Sequence, residues 1–249
     1  MTIAPPLTPP SAAARIVNVM RLHLVNRSVY IGIPWMIVAG ALAVSVIITL
    51  LLRYVTGETE FPGMAYSWAV VSPLWYLIAA GVLAISTTLP FALGFSITRT
   101  DFYLGTSLLF VTVSAANALA MATLVEIEQA TDGWWLGTIM FSALWFGGQT
   151  WIVNVLGFLV IQLFIFFVGA LFAAVYLRWR VMGSVLLWFG VAAAIIGAVT
   201  IIVLTDSWVS VVGWLTTQTT AALLGWLAVP VALAALAGYF IVRRATPKN

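Results

Sequence analysis

Charged residues divide the chain into long apolar stretches. The charge-free runs cover 28–52, 61–98, 102–125, 133–177, 181–205 and 207–242. Crossing a hydrocarbon core about 30 Å thick takes roughly 20 helical residues, and a charge at its centre costs about 2.5 to 3.5 kcal/mol on insertion scales. Charges should therefore mark the ends of membrane spans. The pattern predicts an all-α, polytopic integral membrane protein with six transmembrane helices, at 28–52, 67–91, 103–126, 152–177, 183–205 and 220–242.

The composition agrees with this prediction. The chain is 63% hydrophobic and only 7% charged, whereas a soluble domain has about 25% charged residues. So few charges cannot build a water-soluble surface, and we expect lipid to be the solvent that most side chains meet. The chain has no cysteine, which excludes disulfides and thiolate metal sites. A single transmembrane domain, 28–245, accounts for almost everything after the N-terminal region.

The N-terminal region has two predicted parts. Residues 1–10 contain four prolines and no periodic pattern, so we expect a flexible tail. Residues 11–27 favour a basic amphipathic helix at the membrane interface, with Ser11 as its N-cap. Apolar side chains recur there at four-residue steps from Ile16 to Leu24. The alternative is a plain cytoplasmic extension of the first span.

Two apolar runs are too long for one span and too short for two. The run 133–177 has 45 residues and the run 207–242 has 36. We predict short interfacial or re-entrant helices at the outer face, near 134–147 and 207–218. The alternative at both places is an ordinary apolar loop.

The basic residues give the chain a direction in the membrane. With the N-terminus inside and six spans, nine of the ten Lys and Arg residues lie in the cytoplasm and only Arg53 lies outside. This asymmetry follows the positive-inside rule. It predicts a multi-pass protein of the cell membrane with both termini cytoplasmic. The nine cytoplasmic residues are Arg15, Arg21, Arg27, Arg99, Arg178, Arg180, Arg243, Arg244 and Lys248.

Several kinds of chemistry are excluded by missing residues. The only lysine is Lys248, so a phosphate-binding loop of the G-x-x-x-x-G-K-[ST] type cannot form. The only histidine is His23, which excludes the H-E-x-x-H metal motif and paired haem ligands. We expect His23 to lie at headgroup level. No catalytic activity, metal or cofactor is expected of this chain itself.

Four weakly polar residues lie inside the predicted spans. They have two interpretations. The first is helix–helix hydrogen bonding, worth about 0.6 to 2 kcal/mol for each residue. The second is a polar lining for a substrate path. The residues are Ser114 and Asn117 in the third span, and Asn154 and Gln162 in the fourth.

The connection between the second and third spans is short and carries one basic and one acidic residue. Thr100 is placed to cap the third span, and Asp101 would lie at the positive end of its dipole. Residues 92–105 read Ala-Leu-Gly-Phe-Ser-Ile-Thr-Arg-Thr-Asp-Phe-Tyr-Leu-Gly. This segment resembles the first cytoplasmic loop of ABC exporter permeases, in the class that includes polysaccharide and drug exporters. The family pattern is of the kind Ala-Leu-Gly-x-Gly-x-Ser/Thr-Arg-Arg-Asp-Phe-x-x-Gly.

In that family the loop forms a coupling helix that docks into a separate ATPase subunit. The resemblance implies that the ATPase-facing residues here are Ile97, Thr98, Arg99, Thr100, Asp101 and Phe102. Two positions depart from the pattern: Ser96 stands where the family has glycine, and Thr100 where a second basic residue is usual. Residues 169–172 leading to Arg178-Trp179-Arg180 also resemble the end of the family's fourth span, with Arg180 in place of a glycine.

The resemblance implies the transmembrane subunit of an ATP-driven exporter for an amphipathic or lipid-like substrate. The expected partners are a cytoplasmic ABC ATPase, a second permease copy or paralogue, and membrane lipid, with no nucleic acid. A homodimer and a heterodimer are both open. The alternative function is a membrane scaffold or sensor that has no ATPase partner.

Overall fold

A computed structural model describes residues 11–244, which form helices joined by short connections and contain no strand. The predicted tail at 1–10 and the last residue of the predicted domain, 245, lie outside the described residues. The α-helices are α1 (Ala12–His23), α2 (Ile33–Thr56), α3 (Ser72–Ser86), α4 (Thr88–Gly94), α5 (Arg99–Ala130), α6 (Trp151–Leu204), α7 (Trp208–Thr217) and α8 (Thr220–Arg244).

Within residues 11–244, five helical segments are long and apolar enough to cross a membrane. Such segments identify a multi-pass membrane protein. Four of them match the first, second, third and sixth predicted spans. The remaining segment is α6, which covers both of the other predicted spans, 152–177 and 183–205. The five segments are Ser28–Thr56, Pro62–Gly94, Arg99–Ala130, Trp151–Leu204 and Thr220–Arg244.

Helix α6 is not straight, because its backbone breaks at Arg180, where φ is 57° and ψ is −148°. Phe172 and Trp188 lie eight residues before and after this break, and their ring centroids are 5.1 Å apart. In a straight helix the two residues would be separated by about 24 Å along the axis. The chain therefore folds back sharply at Arg180, and the arm after it, 181–204, buries only Gly183 against the rest of the chain.

The core lies where α3, α5 and α6 meet. The ring of Phe110 stacks on Phe166, with centroids 4.6 Å apart. A side chain at Gly169 would collide with the backbone oxygen of Ile78, so glycine at this position lets α6 approach α3 closely. Residue Gly169 belongs to the segment that resembles the family's fourth span, and this close approach is a structural reason for a glycine there.

Helix α1 begins as predicted. The hydroxyl of Ser11 accepts a hydrogen bond from the backbone N–H of Ala14 at 3.2 Å, which confirms the N-cap. The helix ends at His23, four residues short of the predicted 11–27. It packs lengthwise on the start of α5, because Gly105 has no side chain to hold α1 away.

The two additional short helices predicted at 134–147 and 207–218 have different outcomes. Helix α7 (Trp208–Thr217) confirms a short helix at the second place. The prediction for 134–147 is not confirmed: the segment has no α-helix and contains turns, a π-turn at Gly133–Gly137, in which Trp134 and Trp135 have left-handed backbones, and a 3₁₀ turn at Phe146–Gly148. The reason is a side-chain contact described below.

The bundle has two distinct ends. We call one the α1 end, since it carries α1, the turn at 95–98 and the break at Arg180. The other, the opposite end, carries the connections 57–71 and 131–150.

Candidate functional site

The turn at 95–98 joins α4 to α5 and holds most of the segment that resembles the coupling loop. Ser96 has a left-handed backbone, with φ 60°, and Thr98 has an extended backbone before α5. The Thr98 hydroxyl accepts a hydrogen bond from the backbone N–H of Asp101 at 3.1 Å. Thr98 is therefore the N-cap of α5, and the prediction that Thr100 caps it is wrong, because Thr100 already lies within the first helical turn.

Two of the six predicted docking residues point into the chain instead of outward. The Asp101 carboxylate accepts a hydrogen bond from Arg15 Nε at 2.7 Å, forming an ion pair between α5 and α1. The side chain of Phe102 is fully buried, and its ring centroid is 5.8 Å from that of His23. The prediction that Asp101 and Phe102 face a partner needs correction, because α1 covers both.

The other four docking residues, 97–100, are exposed or half-buried at the α1 end. Shortly before them in the chain are two aromatic residues that were not singled out from the sequence, Phe91 (53% exposed) and Phe95 (67% exposed). Their ring centroids are 4.8 Å apart. Their i, i+4 spacing, which places two side chains on one helix face, was the signal available in the sequence. Together, residues 97–100 and this pair form the surface that we call the turn patch.

His23 is buried between helices, and its predicted position at headgroup level stays a prediction. Its Nε2 lies 2.9 Å from Thr106 Oγ1, and its Nδ1 lies 3.3 Å from the hydroxyl of Tyr30. Because the Thr106 hydroxyl donates its own hydrogen to the backbone oxygen of Phe102, it accepts from Nε2–H and leaves Nδ1 to accept from Tyr30. Burial lowers the pKa of His23 to about 4. The neutral ring thus connects α1, α5 and the start of the first span.

The four intramembrane polar residues fall into two groups. Asn117 and Gln162 both line a small cavity of about 30 Å³, and Asn117 Oδ1 accepts a hydrogen bond from Trp35 Nε1 at 3.1 Å. Ser114 and Asn154 are also buried but do not line this cavity. Of the four predicted residues, the structure therefore brings together only Asn117 and Gln162.

At the opposite end, Glu128 organises the segment after α5. Its side chain is 1% exposed. Its carboxylate accepts hydrogen bonds from the Trp134 indole, from the backbone N–H groups of Met140, Phe141 and Ser142, and from the Ser142 hydroxyl, over distances of 2.6 to 3.1 Å. Three successive N–H groups that donate to one carboxylate cannot also donate to a preceding helical turn, so no helix runs through residues 140–142. This contact explains why 134–147 is irregular.

Glu128 was not singled out from the sequence. The only signal in the sequence was its position: Glu128 is the second-last acidic residue before a 45-residue stretch without a charge. Within residues 11–244, no group of three His, Cys, Asp or Glu side chains is placed to hold a metal ion.

Comparisons of the chain with protein-family models, with curated proteins and with solved structures give no match.

Proposed function

We propose that the chain is the transmembrane subunit of an ATP-driven ABC exporter. It spans the cell membrane six times, with both termini in the cytoplasm, and works with a separate ATPase that docks on the turn patch. It pairs with a second copy or a related permease. ATP hydrolysis in the partner drives export of an amphipathic or lipid-like substrate.

The number of membrane spans, six, depends on α6. Its 54 residues would extend about 80 Å if straight, whereas one span needs about 30 Å. The fold-back at Arg180 divides it into arms of suitable length for two crossings. With six crossings, the α1 end carries almost all the basic residues, which assigns it to the cytoplasm. Helix α1 and α7 would then lie near the inner and outer interfaces.

The observation that carries the proposal concerns backbone conformation. Ser96 and Arg180 stand at the two positions where the resembled family has glycine, and both have positive φ, 60° and 57°. Positive φ is the conformation that glycine adopts without steric cost and that other residues rarely adopt. This coincidence at two sites far apart in the chain supports the view that the resemblance extends to the backbone path of both connections.

The surface of the turn patch also suits a protein partner. Two exposed phenylalanines precede the basic residue Arg99 by eight and four residues in the chain, and aromatic and arginine side chains are enriched in protein interfaces. The ion pair between Arg15 and Asp101 and the burial of Phe102 fix α5 against α1. A force applied at the turn patch would therefore move α1 and α5 together.

Copurification tests the proposal. The tagged chain is expressed in its native host, and proteins that copurify in mild detergent are identified by mass spectrometry. We expect an ABC ATPase in near-equal amount, and we expect Arg99→Glu to reduce its recovery several-fold. The matched control is Arg21→Glu, since Arg21 is an exposed arginine of α1 that is not one of the turn-patch residues. Recovery of no ATPase with the native chain would contradict the proposal and favour a scaffold or sensor.

A further inference from the structure

A large apolar groove lies between α3, α6 and α8, in the half of the bundle nearer the opposite end. Its volume is about 930 Å³, and it is lined mainly by aliphatic and aromatic side chains, including Trp68, Trp75 and Trp145. This size and composition are typical of sites that bind small molecules. The polar lining is limited to the hydroxyls of Ser72 and Thr220 and the indole N–H groups.

The small cavity described above lies directly behind this groove. Val71, Leu74 and Ile161 line both spaces and form the wall between them. A ligand that reaches from the groove into the cavity would have to pass between these three side chains. The groove would supply room for an apolar body, and the cavity has room for a group about the size of one water molecule.

Gln162 gives the cavity a specific polar requirement. The residue is only 4% exposed, and its Oε1 has no hydrogen-bond partner among residues 11–244. A buried carbonyl oxygen is an acceptor that favours a donor close to it. Ser72 lines the groove, and its Oγ is also buried without a partner among the described residues. Both atoms favour a ligand that carries a hydrogen-bonding group.

The ligand that fits these groups is uncharged. Among the described residues that line the groove and the cavity, none carries a charge. A charged group entering the site would lose its hydration without meeting a countercharge. We propose that the groove and the cavity form one binding site for a neutral amphiphile, whose apolar body lies in the groove and whose hydroxyl donates to Gln162 Oε1.

The binding site stands independently of transport, but the identification of this amphiphile as the exported substrate rests on the proposed function. The class of exported substrate would then be neutral, hydroxyl-bearing lipids or lipid-like molecules, and not anionic ones.

Fluorescence quenching of the groove tryptophans tests the site. The full chain is reconstituted in lipid nanodiscs and titrated with three brominated probes of the same undecyl chain: bromoundecanol, bromoundecanoate and bromoundecane. Concentrations are expressed as mole fraction in the bilayer, so that partitioning does not enter the comparison. We expect the alcohol to bind about three- to tenfold more tightly than the alkane, as one net hydrogen bond gives, and the carboxylate to bind more weakly than the alcohol.

Two substitutions separate the hydrogen bond from general packing. Gln162→Leu should reduce the affinity for bromoundecanol to that for bromoundecane and leave the alkane unchanged. The matched control is Asn154→Leu, a buried amide on the same helix that lines neither space, and it should preserve the preference for the alcohol. Equal binding of all three probes by the native chain overturns the site, whether or not the variants fold, and so does equal loss of the preference in both variants.

The probe titration and the copurification together separate the two proposals. If bromoundecanol binds selectively but no ATPase copurifies with the chain, the site stands and the exporter function fails. If an ATPase copurifies and the probes bind without selectivity, the exporter function stands and the neutral-amphiphile site fails.

Discussion

The positive φ of Arg180 predicts that glycine is more stable than alanine at this position, which is the reverse of their usual order in a helix. The residue has φ 57° and ψ −148°, a conformation that costs a residue with a Cβ about 1 to 3 kcal/mol. Replacement with glycine removes this cost and adds about 0.5 to 1 kcal/mol of backbone entropy in the unfolded chain. Arg180→Gly should therefore be about 1 kcal/mol more stable than Arg180→Ala.

The comparison is between two variants, because both lose the same arginine contacts. Arg178 provides the matched control, since it is exposed, lies two residues away and has an ordinary helical backbone. There the order should be reversed, with alanine more stable than glycine by about 1 kcal/mol. The free energy of unfolding is measured for all four variants in mixed micelles of mild detergent and SDS, followed by tryptophan fluorescence.

The result that would refute this reasoning is the same order at both positions. If alanine is also more stable than glycine at position 180, the residue has an unstrained backbone. The fold-back of α6 at this residue would then be wrong, together with the main support for six spans.

Three further predictions concern the contacts that hold the ends of the bundle. Gly105→Ala should destabilise the chain by about 1 to 3 kcal/mol, because the added Cβ collides with α1. It should also raise the rate of amide hydrogen exchange in α1. The control Gly190→Ala, where the Cβ meets open space, should change neither quantity. Glu128→Gln should cost about 2 kcal/mol, since three backbone N–H groups lose a charged acceptor, whereas the exposed Glu126→Gln should change the free energy of unfolding little. The native pKa of His23, about 4, lies below its ordinary 6.5, so the unfolded chain takes up the proton first as pH falls. The stability should be constant above pH 6.5 and fall between pH 6.5 and 4 by about 1.4 kcal/mol per pH unit, and His23→Gln should remove this slope; a slope that persists in the variant would assign the effect to other groups.

The membrane spans could be predicted from the sequence because hydropathy is a local property. The run that begins at Ser28 is apolar over its whole length, and no distant contact is needed to identify it. The cap at Ser11 was predictable for the same reason, since a cap depends on residues within one turn.

The features that the sequence did not predict depend on contacts between distant residues. Glu128 replaces a predicted helix with turns by binding the N–H groups of residues 140–142. His23 is buried only because Gly105, far along the chain, lets α1 approach α5. Neither pairing leaves a periodic signal in the sequence.

The candidate site was predicted in part. The turn at 95–98 was identified from its motif, but the motif does not show which side chains face outward. The partner of Asp101 is Arg15, and a single sequence cannot indicate that pairing. Asn117 and Gln162 were predictable because they are polar and lie in apolar spans. The groove beside them was not predictable, because its lining residues resemble those of any other apolar helix face.

The most direct test of the central claim is cross-linking at the turn patch. The chain has no cysteine, so Thr100→Cys gives a single reactive thiol there, and Thr59→Cys gives one at the opposite end. In membranes from the native host, a short thiol-to-amine cross-linker is applied and the products are identified by mass spectrometry. The account predicts that the thiol at position 100 joins the chain to an ABC ATPase and that the thiol at position 59 does not. A chain that cross-links to no ATPase at position 100, or equally at both positions, would contradict it.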